Sequence, residues 1–497
     1  MGGMDAEAPG IGCSYQKLQD VDMAEVKHPS RSTCQSSPCR VRELRTPQTV
    51  ERGAISLVQE VFPPFLLAGL GMVAAGLLLG VVHHWPVFQE ANEMLILVPA
   101  LLGLKGNLEM TLAARLSTHA NLGHMDTGGQ LVPIVTGNFA VVLCQAIVVG
   151  FLASIVAVAL DLLTAGQWHA NHLLLLSSSA VTAASTASLL LATIMILIVL
   201  LARRYGINPD NVASPIAGML GDFCTLGLLA MFAHIYWSTH ESCLWLQWSA
   251  IIFFCLLAPC SARVAFSNPH TERVLREGWT PVIVSMLISS FGGLILKHAV
   301  QHFRVLAEFA PVTNGAGGNL AAVQSSRLST DLHTHGDLGT GVIPLSPQSR
   351  QTSNGRLKKL QMDEEEPLTP GGTFSALFKS ANEHACTARV LIGLAVPGAF
   401  CFVFLIVAVR SRCTAVPDPL FMFLYICAVL LQVCILFVAA HGIVNVLWRS
   451  GINPDNAAIP YVTSLGDLVG TTCLTVAFVV LQLLGGVPWD GPAPVAR

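Results

Sequence analysis

Eleven apolar runs of about 20 residues, separated by mostly short polar connections, leave this chain few ways to fold. They lie at roughly 62–82, 94–114, 138–160, 174–202, 211–237, 244–266, 279–297, 306–326, 389–409, 419–448 and 456–485. Each is long enough to cross a hydrocarbon core about 30 Å thick. Inside such a core every backbone N–H and C=O must bond within the protein, which for single runs leaves helices. The expected architecture is an all-α polytopic membrane protein of about 11 transmembrane helices.

Composition agrees: 53% of the residues are hydrophobic and only 11% charged, with a mean hydropathy of +0.61, far from soluble averages. A net charge of -3 without a long basic tract speaks against a nucleic-acid partner. The 14 cysteines are scattered, most of them inside apolar runs, and read as small packing residues. No HExxH pair or GxSxG elbow is present, so an intramembrane enzyme is not expected.

Residues 1–60 are polar and lack an apolar h-region, which predicts a disordered cytoplasmic tail with the run at 62–82 as first anchor. With the tail inside, 21 of the 27 Lys and Arg fall on the cytoplasmic side, five fall outside, and Lys105 lies within a span. That asymmetry supports a cytoplasmic N-terminus and a short non-cytoplasmic C-terminus at 487–497.

The chain is written twice. Gly206–Thr225, GINPDNVASPIAGMLGDFCT, returns 245 residues later as GINPDNAAIPYVTSLGDLVG at Gly451–Gly470, identical at 11 of 20 positions. Pro99–Thr118, PALLGLKGNLEMTLAARLST, returns at Pro311–Thr330 as PVTNGAGGNLAAVQSSRLST. Two five-helix repeats are therefore expected, at 61–238 and 271–486, joined by a linking helix at 239–270. The second carries a flexible polar loop at 331–387. An odd-numbered repeat followed by one extra span returns to the same orientation, so the repeats are expected to be parallel, related by a pseudo-twofold along the membrane normal. Such a chain is a homodimer fused into one, functional as a monomer.

Within this frame the informative residues are carboxylates in apolar surroundings. A charged side chain at the centre of a membrane helix costs about 2.5–3.5 kcal/mol on insertion scales and is by default functional. Asp222 and Asp467 lie 12 residues beyond Asp210 and Asp455, about 18 Å of helix and near mid-bilayer. Asn107 and Asn319, eight residues from Arg115 and Arg327, reach a similar depth. Two Asp and two Asn around one axis make an anionic, oxygen-rich site for a hard cation, and Mg²⁺, which keeps much of its water, fits it best. The alternative for the aspartates is an interhelical hydrogen bond that pins packing. Gly106 and Gly318, in the Gly-Asn-Leu steps, are expected to break their helices and free backbone carbonyls, or else to serve close packing.

Asn208-Pro209-Asp210 and Asn453-Pro454-Asp455 read as helix starts that also place acids near the inner mouth. Lys105 and Glu109 occur in the first half only and share a helix face, either as a self-neutralising pair or with Glu109 as an added ligand.

At the GNL…RLST and NPDN…GD motifs the chain resembles the MgtE-type magnesium transporters, and the LKGNLEMTLAARLST form resembles their animal branch, solute carrier family 41. The resemblance spans about 60–485. It implies an ion path between the paired second and fifth helices, with Asp222 and Asp467 as the central Mg²⁺ site and Asn107 and Asn319 beside it. It further implies transport of Mg²⁺ and other divalent cations, without a cofactor. Sodium-coupled exchange is implied for the animal branch, yet no separate Na⁺ site is legible. The large soluble sensor region of the bacterial relatives has no counterpart in the tail or loop. An uncoupled Mg²⁺ channel and a secondary transporter of another solute are the competing functions. The plasma membrane is the expected location, with the mitochondrial inner membrane as the alternative.

Overall fold

Every regular element among the described residues is a helix. The computed structural model describes residues 47–486 apart from 122–124, 126–127, 167–169, 206–208, 241, 336–382 and 415. The helices are α1 (Pro47–Val82), α2 (Pro86–Glu90), α3 (Met94–Asn121), α4 (Gly128–Ala165), α5 (Ala170–Arg204), α6 (Pro209–Ser238) and α7 (Leu244–Phe266). They continue with α8 (Glu272–Glu277), α9 (Trp279–His302), α10 (Leu306–His335), α11 (Glu383–Ser411), α12 (Pro419–Arg449) and α13 (Pro454–Leu483). Ten of them are long and apolar enough to cross a membrane. Only the short α2 and α8 have no counterpart among the expected spans.

The eleventh expected span, 306–326, is α10, which is long enough but too polar to join those ten. Its polar residues Thr313, Asn314, Gln324 and Ser325 are buried, and the helix packs closely on α12 and α13. A helix so placed is held by packing and interhelical hydrogen bonds instead of by hydrophobicity. At its far end α10 runs on to His335, five residues into the stretch expected to be a loop. His333 is held there by Asn453, at 3.1 Å, and by the edge of Trp448.

The expected breaks at Gly106 and Gly318 do not occur, because α3 and α10 are continuous through both. A glycine inside a helix costs about 1 kcal/mol relative to alanine without interrupting the hydrogen-bond ladder. Gly318 serves close packing instead: a Cβ on Gly466 of α13 would fall 3.2 Å from the Gly318 Cα. The two backbones touch there.

Packing follows one scheme twice. In the first half α6 lies on α3 and α5, and in the second α13 lies on α10 and α12. Glycines then bring the leading helix of each half against the other half. A Cβ on Gly76 of α1 would fall 2.1 Å from the backbone oxygen of Glu308 on α10, and one on Gly293 of α9 would fall 2.3 Å from that of Ile96 on α3. Toward their own halves, Gly71 abuts Met219 of α6 and Gly292 abuts Asp467 of α13.

By contrast α7 is peripheral: 17% of its most apolar window is buried, against 71% for α3. Its exposed Trp245, Trp248, Ile252, Phe253 and Leu256 suit a surface that faces acyl chains.

Away from the cavity between α3, α6, α10 and α13, several buried carboxylates have partners among the described residues. Lys297 of α9 bonds Asp161 of α4, Arg410 of α11 bonds Glu308 of α10, and Glu93 lies 3.0 Å from His172. The Lys and Arg partners neutralise carboxylates that burial would otherwise make costly.

Candidate functional site

Six helices line the site: α3 and α6 of the first half and α10 and α13 of the second carry its carboxylates and amides, and α1 and α9 complete the wall through Met72, Leu79 and Leu296. Pro209 and Pro454 are the first residues of α6 and α13, a position where the missing N–H and fixed φ are favourable. The motif spacing then places Asp222 and Asp467 more than three turns along α6 and α13. A glycine directly precedes each carboxylate: Gly221 on α6 lets the Glu109 side chain of α3 come close, and Gly466 on α13 meets the Gly318 backbone of α10.

The result is a cavity of about 80 Å³, room for a few waters. Asp222, Asp467, Asn319, Glu109 and Gly318 all line it, with Asn314 and Thr463. The Asp467 Oδ2 accepts a 2.6 Å hydrogen bond from the Ser289 hydroxyl on α9. Gly103 of α3 closes over that pair, since a Cβ there would fall 2.7 Å from both the Asp467 Oδ2 and the Ser289 Oγ. Glu109, almost fully buried, is directed at Gly221, beside Asp222.

Among the described residues lining the cavity there is no Lys, Arg or His. Like-charged carboxylates in a buried cavity need compensation, and a cation from solution can supply it. Three carboxylates line the cavity, yet no group of three or more Asp, Glu, His or Cys among the described residues is arranged to hold a metal ion. The donor set is thus sparse and oxygen-only. It suits a hard ion that keeps part of its water.

The side chains of Lys105, Gly106, Asn107, Asp210 and Asp455 lie outside the described set. Their backbones place 105–107 on α3, Asp210 second in α6 and Asp455 second in α13.

A family described as divalent cation transporter, MgtE, matches the chain in two stretches, 98–232 and 310–477. They cover more than half of its length. The chain belongs to the MgtE family of divalent cation transporters. Its two matched stretches take in α3 to α6 and α10 to α13, which carry the carboxylates and amides of the cavity. Similar proteins include "Solute carrier family 41 member 3" of Rattus norvegicus, 40% identical over 89% of this chain and 91% of that protein. "Solute carrier family 41 member 2" of Xenopus laevis is 40% identical over 92% of this chain and 77% of its own. The Homo sapiens protein of that name is 40% identical over 88% and 73%. No solved structure matches. As an MgtE-family member the chain is a multi-pass membrane transporter and not an enzyme.

Sequence reasoning passed over Ser289, Asn314 and Gly103. Asn314 and Gly103 stand in the duplicated motif ahead of its Gly-Asn-Leu step, and Asn314 has Leu102 as its counterpart in the other copy. Ser289 sits in an apolar run with nothing beside it in sequence to mark it.

Proposed function

We propose that the chain carries partly hydrated Mg²⁺ through the cavity between its two repeats, with Asp222 and Asp467 as the central ligands and Asn319 and Asn107 beside them. The observation that carries this reading is the convergence of two carboxylates, from the same position of a duplicated motif, on one buried cavity with no described basic residue in its wall. Glu109 adds negative charge on the first-half side. It is an accessory that tunes rate or selectivity.

The parallel pseudo-twofold supports this reading, because it is what would bring the two aspartates to one depth. In its favour, the contacts of Gly76 with Glu308 and of Gly293 with Ile96 repeat between the halves: Ile96 and Glu308 stand three residues before Pro99 and Pro311, the first residues of the duplicated motif. The chain then works as a monomer with a pore at the repeat interface. Asp210 and Asp455 at the helix starts would draw cations toward its inner mouth. The charge asymmetry of the connections favours a cytoplasmic N-terminus.

Flux into proteoliposomes tests the reading. Asp222→Asn and Asp467→Asn should each abolish Mg²⁺ uptake while the protein remains folded and inserted. Normal uptake by the double variant would refute it. Repeating the measurement with and without a Na⁺ gradient separates coupled exchange from an uncoupled pore.

A further inference from the structure

The leading helices of the two halves, α1 and α9, follow one pattern. Pro64 and Pro281 each stand 12 residues before the interhelical glycine, Gly76 or Gly293, and each glycine is followed by two aliphatic residues and a leucine. Eight residues after the proline, however, one half has Met72 and the other Ser289. Both side chains fill the same kind of socket. Gly103 and Gly315 are the fifth residues of the duplicated motif on α3 and α10. A Cβ on Gly315 would fall 1.9 Å from the Met72 Sδ, and one on Gly103 would fall 2.7 Å from the Ser289 Oγ.

Their chemistry differs. Ser289 donates to Asp467 Oδ2 at 2.6 Å, a short bond that fixes that oxygen. A thioether has no proton to give and is only a weak acceptor. Met72 instead receives the Asn319 Nδ2, at 3.9 Å, which leaves the amide oxygen as that residue's donor atom for a cation.

We propose that Ser289 and Met72 are positioning residues that make the two halves of the cation site unequal. Ser289 holds one oxygen of Asp467 so that the other meets the ion, while Met72 orients Asn319 and offers no donor to Asp222. Asp467 is then the pre-set ligand and Asp222 the one that adjusts as the ion arrives or leaves. Outer groups that orient ligands in this way typically change metal affinity by about 10- to 100-fold when removed. This inference rests on the Mg²⁺ reading above.

The test uses the full chain in proteoliposomes with Mg²⁺ as the only divalent ion, reading half-saturating concentration and maximal flux separately. Ser289→Ala should raise the half-saturating Mg²⁺ about tenfold with maximal flux within about twofold. Met72→Leu, which keeps the bulk and removes the acceptor, should raise it by a smaller factor. Thermal stabilisation of the purified protein by Mg²⁺ gives the second readout: in an Asp467→Asn background, Ser289→Ala should add no further loss. If Ser289→Ala does not fold, Ser289→Cys keeps the size with a weaker donor, and the same titration decides. An unshifted half-saturation, a loss confined to maximal flux, or additive effects of Ser289→Ala and Asp467→Asn would reduce Ser289 to a packing residue. An unshifted Met72→Leu removes Met72 from the pair. Absence of Mg²⁺ flux in the native protein overturns the functional reading and this inference with it, whereas native flux with an unshifted Ser289→Ala overturns this inference alone.

Discussion

Gly293→Ala should loosen the cation site from a distance, and its size can be worked out. The added Cβ would lie 2.3 Å from the Ile96 oxygen and 2.8 Å from its Cα, whereas real Cβ atoms essentially never come within 3.0 Å of such atoms. Both obstacles are backbone, so neither can rotate aside, and α9 must move off α3 by about 0.7 Å or more. Against that strain, Gly→Ala in a helix interior contributes about 1 kcal/mol of stability. Overpacking of this kind costs typically about 1–3 kcal/mol, and a backbone obstacle puts the cost at the upper end. The net expectation is a loss of about 1–2 kcal/mol. Gly393→Ala and Gly442→Ala on α11 and α12 are the controls, since a Cβ at either meets nothing within 4 Å. They should be neutral or stabilising. Thermal unfolding of the purified proteins in one detergent measures the difference. Because Gly292 and Ser289 lie on the same stretch of α9 beside Asp467, Gly293→Ala should also weaken Mg²⁺ uptake while the controls do not. A Gly293→Ala protein as stable and active as the two controls would refute the close α3–α9 contact.

Three further outcomes are expected. His83, just beyond α1, donates through Nδ1 to the Leu79 oxygen, and burial, reinforced by neighbouring His84, pushes its imidazole down to about 4. The unfolded chain therefore takes up a proton that the folded one refuses. Stability should be complete above about pH 6.5 and fall by up to about 3 kcal/mol as pH drops toward 4, and His83→Gln should flatten that acid limb in melts across pH. Lys297→Met strands the buried Asp161 and should cost about 3–5 kcal/mol, whereas Asp161→Leu combined with Lys297→Met should recover most of it in the same melts. Glu109→Gln should leave uptake present but alter its inhibition by Mn²⁺ or Co²⁺, and an unchanged competition profile would confine Glu109 to packing.

Much of the fold was legible because a bilayer tolerates so few conformations. The expected spans and the observed long helices coincide to within a few residues at most ends, and the span at 244–266 coincides with α7. The helix starts at Pro209 and Pro454 were readable for a local reason, the fit of proline to a first helical turn. Where the reading went astray, local and tertiary causes competed. Glycine favours a break in isolation, but Gly318 is held within α10 by the backbone of α13, and the end of α10 is extended by the contacts of His333 with Asn453 and Trp448.

The sequence alone was enough to establish a polytopic chain with a duplicated motif and a carboxylate at the same position of each copy, since hydropathy, motif spacing and helical rise are one-dimensional quantities. Whether those carboxylates meet was a three-dimensional question. It depended on how closely four helices approach, which in turn depended on glycines whose purpose appears only against the facing backbone. The Ser289 hydroxyl on Asp467 comes from 178 residues away in the chain, and no spacing rule marks it. Tertiary packing alone brought them together, because a hydrogen bond between helices depends on distance in space and not on distance along the chain.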